Sequence, residues 1–328
     1  MVTDGWLWVP IKWNWWMKIQ MATAVVGILG NLLVIVLLFQ RRKKSRATDT
    51  LIGALATADF VTSIFMIPLP TAERVPMTIL GEVYCRLIFS KFLLFSSSAA
   101  SIMALTSIAI ERYIAVVHPL RCKELLSRRR IRTAIVLTWI LGVTLYTPLL
   151  YTNFRNPQQE CEWGFPSREI QILIGVGLFS TQFLIPMIVS LTVHGLTART
   201  LHRKANLYLG ENKNPDANPS LRHVIAKKRV LQTLFLVIMF FIICWGPIQT
   251  GYMLFDLGII PVTFVGSTIQ HVFIILALWN SCANPFIYAI RYPEFRKAIR
   301  ELFNPNRNDA SLFGDRGVNS SPFRTNVL

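Results

Sequence analysis

The chain has 328 residues, of which 53% are hydrophobic and only 16% charged, a balance that excludes an ordinary soluble domain. Its formal net charge is +17, but the placement of the 34 Lys and Arg argues against a nucleic-acid partner. Apolar runs of about 20 residues or more recur along the chain, long enough to span a bilayer core. Seven are read, at roughly 15–39, 50–70, 86–114, 132–151, 170–198, 229–255 and 263–290. The third is the most polar, with Lys91 and a run of serines, so it is expected to pack against neighbouring helices rather than lipid. The runs share no period or motif. One all-α membrane domain is expected at 15–290, between a short N-terminus (1–14) and a C-terminal region after 290.

Sorting the cations by loop gives the orientation. Arg41, Arg42, Lys43, Lys44 and Arg46 fill the first loop, and Arg121, Lys123, Arg128, Arg129, Arg130 and Arg132 follow the third run. With the fifth-to-sixth connection, the tail and Arg112, twenty-seven lie on one side and six on the other, Lys91 being the remaining one. The positive-inside rule then places the N-terminus outside and the tail (304–328) in the cytoplasm, as a multi-pass protein of the plasma membrane. The basic excess reads as anchoring to anionic lipid, with a smaller share for a protein partner. No cleavable signal sequence is read at the start, where Trp6, Trp8, Trp13 and Trp15 suit an interfacial aromatic belt. Cys85 and Cys161 both fall in the oxidising outer compartment; a bridge between them would tie the loop after the fourth run over the bundle, the alternative being two free thiols.

Ionisable groups at bilayer depth cost about 2.5–3.5 kcal/mol each, so each calls for a partner or a function. Asp59 lies midway along the second run. Asn280, Asn284 and Tyr288, spaced by four with Ser281 beside them, draw one polar stripe down the seventh. Ser101 and Arg112 share a face of the third, being eleven residues apart. This set of oxygen donors would suit a small hydrated cation, sodium being the abundant outer one; a purely structural hydrogen-bonded network fits the spacing equally well. Pro148, Pro186, Pro247 and Pro285 interrupt four runs and point to bent helices. Glu111 and Arg112 at the inner end of the third run form either a local latch or a snorkelling interfacial pair.

Together these residues resemble the class A, rhodopsin-like G-protein-coupled receptors, most closely the peptide-type members. The resemblance runs from about residue 16 to 303 and rests on Gly30-Asn31, Leu55-Ala56-Thr57-Ala58-Asp59, Glu111-Arg112-Tyr113, Trp139, Pro186, Cys244-Trp245-Gly246-Pro247 and Asn284-Pro285-Phe286-Ile287-Tyr288. It implies a seven-transmembrane bundle in which Asp59, Ser101, Asn280, Ser281 and Asn284 hold an allosteric Na+, with no other cofactor. It implies that Trp245, Pro247, Arg112 and Tyr288 form the activation switch. Glu111, Arg112, Tyr113 and Leu120 would couple to a heterotrimeric G protein. The stretch from Pro293 to Phe303 looks like the family's amphipathic eighth helix (291–303) on the inner leaflet.

The departures are as specific as the matches. Cys85 and Arg112 are two residues further apart than the family's usual interval. His194 stands where the family generally has a tyrosine, Thr78 where it has a tryptophan, and Lys227-Lys228-Arg229 supply no acid to latch Arg112. Phe92-Leu93-Leu94-Phe95 lack the acid of amine receptors, and Leu278 occupies the place of the opsin lysine. Lys91 is the one charge near the upper pocket, set either to receive an acidic ligand group or to snorkel. A neuropeptide-like ligand is expected, with a lipid or other small metabolite as the alternative. A secondary transporter is the rival class, but the internal repeats it usually shows are not seen.

Overall fold

The computed structural model describes residues 5–40, 47–211, 219–291 and 293–303, with side chains omitted for 208–211, 219–230, 291, 293–294 and 303. The basic first loop and the tail after 303 lie outside the described residues, as do the side chains of Lys227, Lys228 and Arg229. The helices in chain order are α1 (Trp15–Gln40), α2 (Ala47–Phe65), α3 (Ile79–Val83), α4 (Phe92–Val117), α5 (Cys122–Leu125), α6 (Arg128–Tyr146), α7 (Pro148–Thr152), α8 (Arg168–Phe179), α9 (Ile185–Glu211), α10 (Pro219–Asp256), α11 (Thr268–Arg291) and α12 (Pro293–Phe303). Two π-helical segments, Tyr84–Phe89 and Ser180–Leu184, join α3 to α4 and α8 to α9. The third span is thus α3–α4 and the fifth α8–α9.

Six of these helical stretches are long and apolar enough to cross a membrane. The other member of the bundle, α2, is shorter and more polar, and it hides that polarity: Thr48, Asp49, Asp59, Thr62 and Ser63 are all buried. It packs against α1, α4 and α6. The third span is central, as its polarity predicts, with 67% of its apolar window buried against 17% for the α6–α7 stretch. The prolines act in two ways. Pro148 separates α6 from α7 and Pro186 is the second residue of α9, just after a π segment, whereas Pro247 and Pro285 lie inside continuous helices.

The two extra residues between Cys85 and Arg112 are absorbed at the top of the third span. The π turn widens the backbone, Ser90 N–H donating to the Cys85 carbonyl at 3.2 Å, and the next turn tightens, Lys91 N–H donating to Ile88 at 3.1 Å. Lys91 takes the left-handed conformation, φ 55° and ψ 32°, at the start of α4. Below this kink the face carrying Ser101 and Arg112 runs on without a break.

The outer surface is laced together by short strands. β1 (Leu7–Val9) pairs antiparallel with β2 (Thr71–Arg74) of the first outer loop. Trp6 and Trp8, expected in an aromatic belt, instead stack on each other at 5.2 Å and meet Tyr84 edge-on at 5.3 and 5.6 Å. β3 (Asn153–Arg155) and β4 (Cys161–Trp163) form a hairpin after α7. The Cys85–Cys161 disulfide ties this hairpin to the π segment. Where a tryptophan is missing at Thr78, the Arg155 guanidinium clasps the first outer loop, donating to the carbonyls of Pro76 and, at 3.0 Å, Thr78. Gly81 makes room for this clasp, since a Cβ there would run into the Pro76 carbonyl and Arg155. At the other end α12 buries Phe295 and Ala298 against the bundle, and Arg296 donates to the α11 carbonyls of Ala289 and Ile290 at 3.2 and 2.7 Å.

Candidate functional site

A polar seam descends through the bundle along α2, α4 and α11. Asp59, fully buried on α2, accepts from the Ser101 hydroxyl at 2.6 Å and from the Asn284 amide at 2.8 Å. The Ser281 hydroxyl is directed at the same carboxylate. Asn280 is buried one turn away on α11, with no hydrogen bond to Asp59 among the described residues. Asn31 extends the seam to α1, its amide donating to the Gly27 carbonyl at 3.0 Å and the Ser281 carbonyl at 2.9 Å. Gly30 permits this approach, because a Cβ there would lie 3.0 Å from Pro285. Asn31 is absent from the residues predicted for the site, although its signal was present: it is the one strongly polar residue at the centre of an otherwise apolar span.

A carboxylate removed from water and met by neutral donors is electrostatically incomplete, and a proton or a cation would complete it. The oxygens of Asp59, Ser101, Ser281 and the two asparagines are hard ligands. The donor set therefore fits a sodium ion.

At the inner end, Arg112 folds back onto Glu111 in a bidentate pair, Nε to Oε2 at 2.5 Å and Nη2 to Oε1 at 2.7 Å. Thr48 of α2 donates to the same Glu111 oxygen at 2.9 Å and fixes its rotamer. Tyr113 meets His118 edge-on at 5.6 Å. Leu120, on the loop that follows, is 97% exposed. Tyr288 is buried at the foot of α11 against Phe295, 6.2 Å between rings.

Between the seam and the outer surface lies an aromatic layer. Phe183 packs on Phe241 at 6.0 Å and on Phe179 at 5.7 Å, beside the buried Trp245. Gly246 admits the Phe183 ring, which a Cβ would meet at 3.3 Å. Pro247 is one residue further along α10. Above this layer polar links join the helices: Gln171 donates to Asp256 at 3.1 Å, Gln270 to Tyr252 at 3.2 Å, and Tyr146 bonds to Gln249. Gln182, 1% exposed, has no hydrogen-bond partner for either amide atom among the described residues, and neither has the Trp245 indole N–H. Trp245 apart, these upper residues form no pattern in sequence, being isolated amides, phenols and one carboxylate scattered over the fourth to seventh spans. Lys91 is exposed at its kink, with no ion pair to another described residue.

Comparison with known proteins agrees with this geometry. The chain is 25% identical to the cholecystokinin receptor of Xenopus laevis, over 90% of this chain and 78% of that protein. It is 28% identical to the QRFP-like peptide receptor of Branchiostoma floridae (88% and 77%) and 27% identical to galanin receptor type 1 of Mus musculus (92% and 84%). Residues 30–288, from Gly30 in α1 to Tyr288 in α11, match the 7 transmembrane receptor (rhodopsin family). With that match covering residues 30–288, the chain belongs to the rhodopsin family of seven-transmembrane receptors.

Proposed function

We propose that this receptor lies in the plasma membrane with its N-terminus outside, binds a neuropeptide-like ligand among the outer helix ends, and activates a heterotrimeric G protein at its cytoplasmic face. The observation that carries the reading is the succession, from the outer end inward, of the upper polar links, the aromatic layer at Trp245, the buried Asp59 cluster and the Glu111–Arg112 pair. The relatives named for cholecystokinin, a QRFP-like peptide and galanin support a peptide ligand. The outer face supports it too. Exposed Lys91 and the carboxylates of Glu73, Glu160, Glu162 and Asp256 offer separated charges of both signs, suited to an extended ligand, Glu82 being paired with Arg86. Lys91 receives an acidic group or the peptide's C-terminal carboxylate.

In mechanism, ligand binding favours an arrangement in which α10 swings about Pro247 and Arg112 leaves Glu111. Arg112, Tyr113, Tyr288 and the exposed Leu120 then form the docking surface for the G protein, which biases the same equilibrium from inside. Asp59, Ser101, Asn280, Ser281 and Asn284 would hold a sodium ion, which would supply the positive charge that the neutral donors lack.

The deciding experiment screens peptide and metabolite libraries for stimulated nucleotide exchange on purified G protein, with Arg112→Ala as control. Exchange driven by a peptide, and lost in an Arg112→Ala receptor still present at the cell surface, is the expected result. Activation by a lipid or metabolite alone would overturn the peptide assignment. Solute flux without exchange would overturn the receptor mechanism.

A further inference from the structure

The inner halves of α9 and α10 do not close on each other. A cavity of about 570 Å³ lies in the seam between them. Its floor is the buried pair Leu201 and Leu231, which pack on Val116 of α4. Its walls are exposed: Leu191 on α9, Phe235 and Leu236 on α10. The neighbouring exposed side chains of α9, Ile185, Ile188 and Leu196, are apolar and turned outward at membrane depth, so the groove opens to the bilayer. Small residues make the space. Gly195 and Ala198 line it, and a Cβ at Gly195 would have nothing within 4 Å. His194, which replaces the family's usual tyrosine, stacks on Phe235 at 5.3 Å and bridges the two helices in the upper part of the groove.

The lower end is different in character. His202 and Gln232 line it, and Arg199 and Arg203, each next in sequence to a lining residue (Ala198 and His202), are exposed and without an ion pair to another described residue. The α9 lining runs from Leu191 to Ala205, about 21 Å of helix, which approaches the length of an extended fatty acyl chain. A fused-ring sterol would fill only part of it. The basic rim selects a negative headgroup.

We propose that this groove binds one anionic phospholipid of the inner leaflet, its acyl chain along Gly195 and Ala198 and its phosphate at His202, Arg199 and Arg203. The site is independent of the ligand proposed above and of the sodium pocket. Because α9 and α10 form its two walls, a displacement of α10 changes its shape, and the lipid shifts the receptor's equilibrium by its differential affinity for the two arrangements.

The test is native mass spectrometry of the full-length receptor, purified from mixed phosphatidylcholine–phosphatidylserine bilayers with cholesterol. Wild type is expected to retain one phosphatidylserine. Gly195→Phe, which fills the groove, and the rim double variant Arg199→Ala/Arg203→Ala are each expected to lower that occupancy about tenfold or more. The rim variant touches only exposed side chains, so it reads the site even if Gly195→Phe folds poorly. Undiminished phosphatidylserine in the rim variant would overturn the headgroup assignment. Retention of cholesterol instead, abolished by Gly195→Phe, would overturn the phospholipid altogether.

Discussion

Removing a carboxylate from water is expensive unless its charge is compensated, and Asp59 is met by the neutral donors Ser101 and Asn284. A cation that completes the site binds the folded receptor and not the unfolded chain, so it raises stability by mass action. Sodium in place of choline is therefore expected to raise the Tm of the purified receptor, and Asp59→Ala to abolish that difference; a sodium effect that survives the substitution would remove the site. A second residue-scale prediction concerns Thr48. Its bond to Glu111 is one to a charged group, worth about 1.5–3 kcal/mol. Thr48→Val should loosen the Glu111–Arg112 pair and raise ligand-free nucleotide exchange about tenfold, whereas unchanged basal exchange would reduce Thr48 to a packing residue. Asp59, Ser101, Glu111 and Arg112 were legible in sequence as polar groups inside apolar runs that call for partners, but their roles followed only from the family resemblance, since a structural network or an interfacial pair fitted the spacing too. Thr48 was not: a threonine at the start of a helix is unremarkable until its partner 63 residues away is known.

Among the elements, the long helices were legible for the same reason that they are stable. A run of some 20 apolar residues in a bilayer satisfies its backbone only as a helix. Their ends were less so: α10 starts at Pro219, ten residues before the apolar run it contains, because charged residues continue a helix past the membrane face. The top of the third span shows another limit. The spacing of Cys85 and Arg112 revealed two extra residues but not where they go, and neither Ser90 nor Lys91 carries the glycine signal of a left-handed turn. A non-glycine residue there costs about 1–2 kcal/mol, so Lys91→Gly should raise the Tm of the ligand-free receptor by relieving its φ of 55°. Lys91→Val should lower it, a β-branched side chain being worse in that conformation. A drop in Tm for the glycine variant would mean that Lys91 is held by contacts rather than tolerated. The strands β1 to β4, three or four residues each, are too short to show a period and were invisible in sequence.

For the whole molecule, family membership separates receptor from transporter, which buried charges and proline bends alone could not do. The outer face depends on cross-links between distant segments: the disulfide, closing 76 residues of sequence separation, the Arg155 clasp and the β1–β2 pair. Loss of a disulfide closing so long a loop typically costs about 2–5 kcal/mol. Cys85→Ser is accordingly expected to lower both Tm and surface expression, and a variant with wild-type values for both would show that the clasp and strands suffice. The β1–β2 pair has one more use. It holds the indoles of Trp6 and Trp8 against Tyr84, on the outer face beside the Cys85–Cys161 disulfide. Stacked indoles change their emission when prised apart, so this corner equips the protein with a native optical gauge, readable by fluorescence without a label.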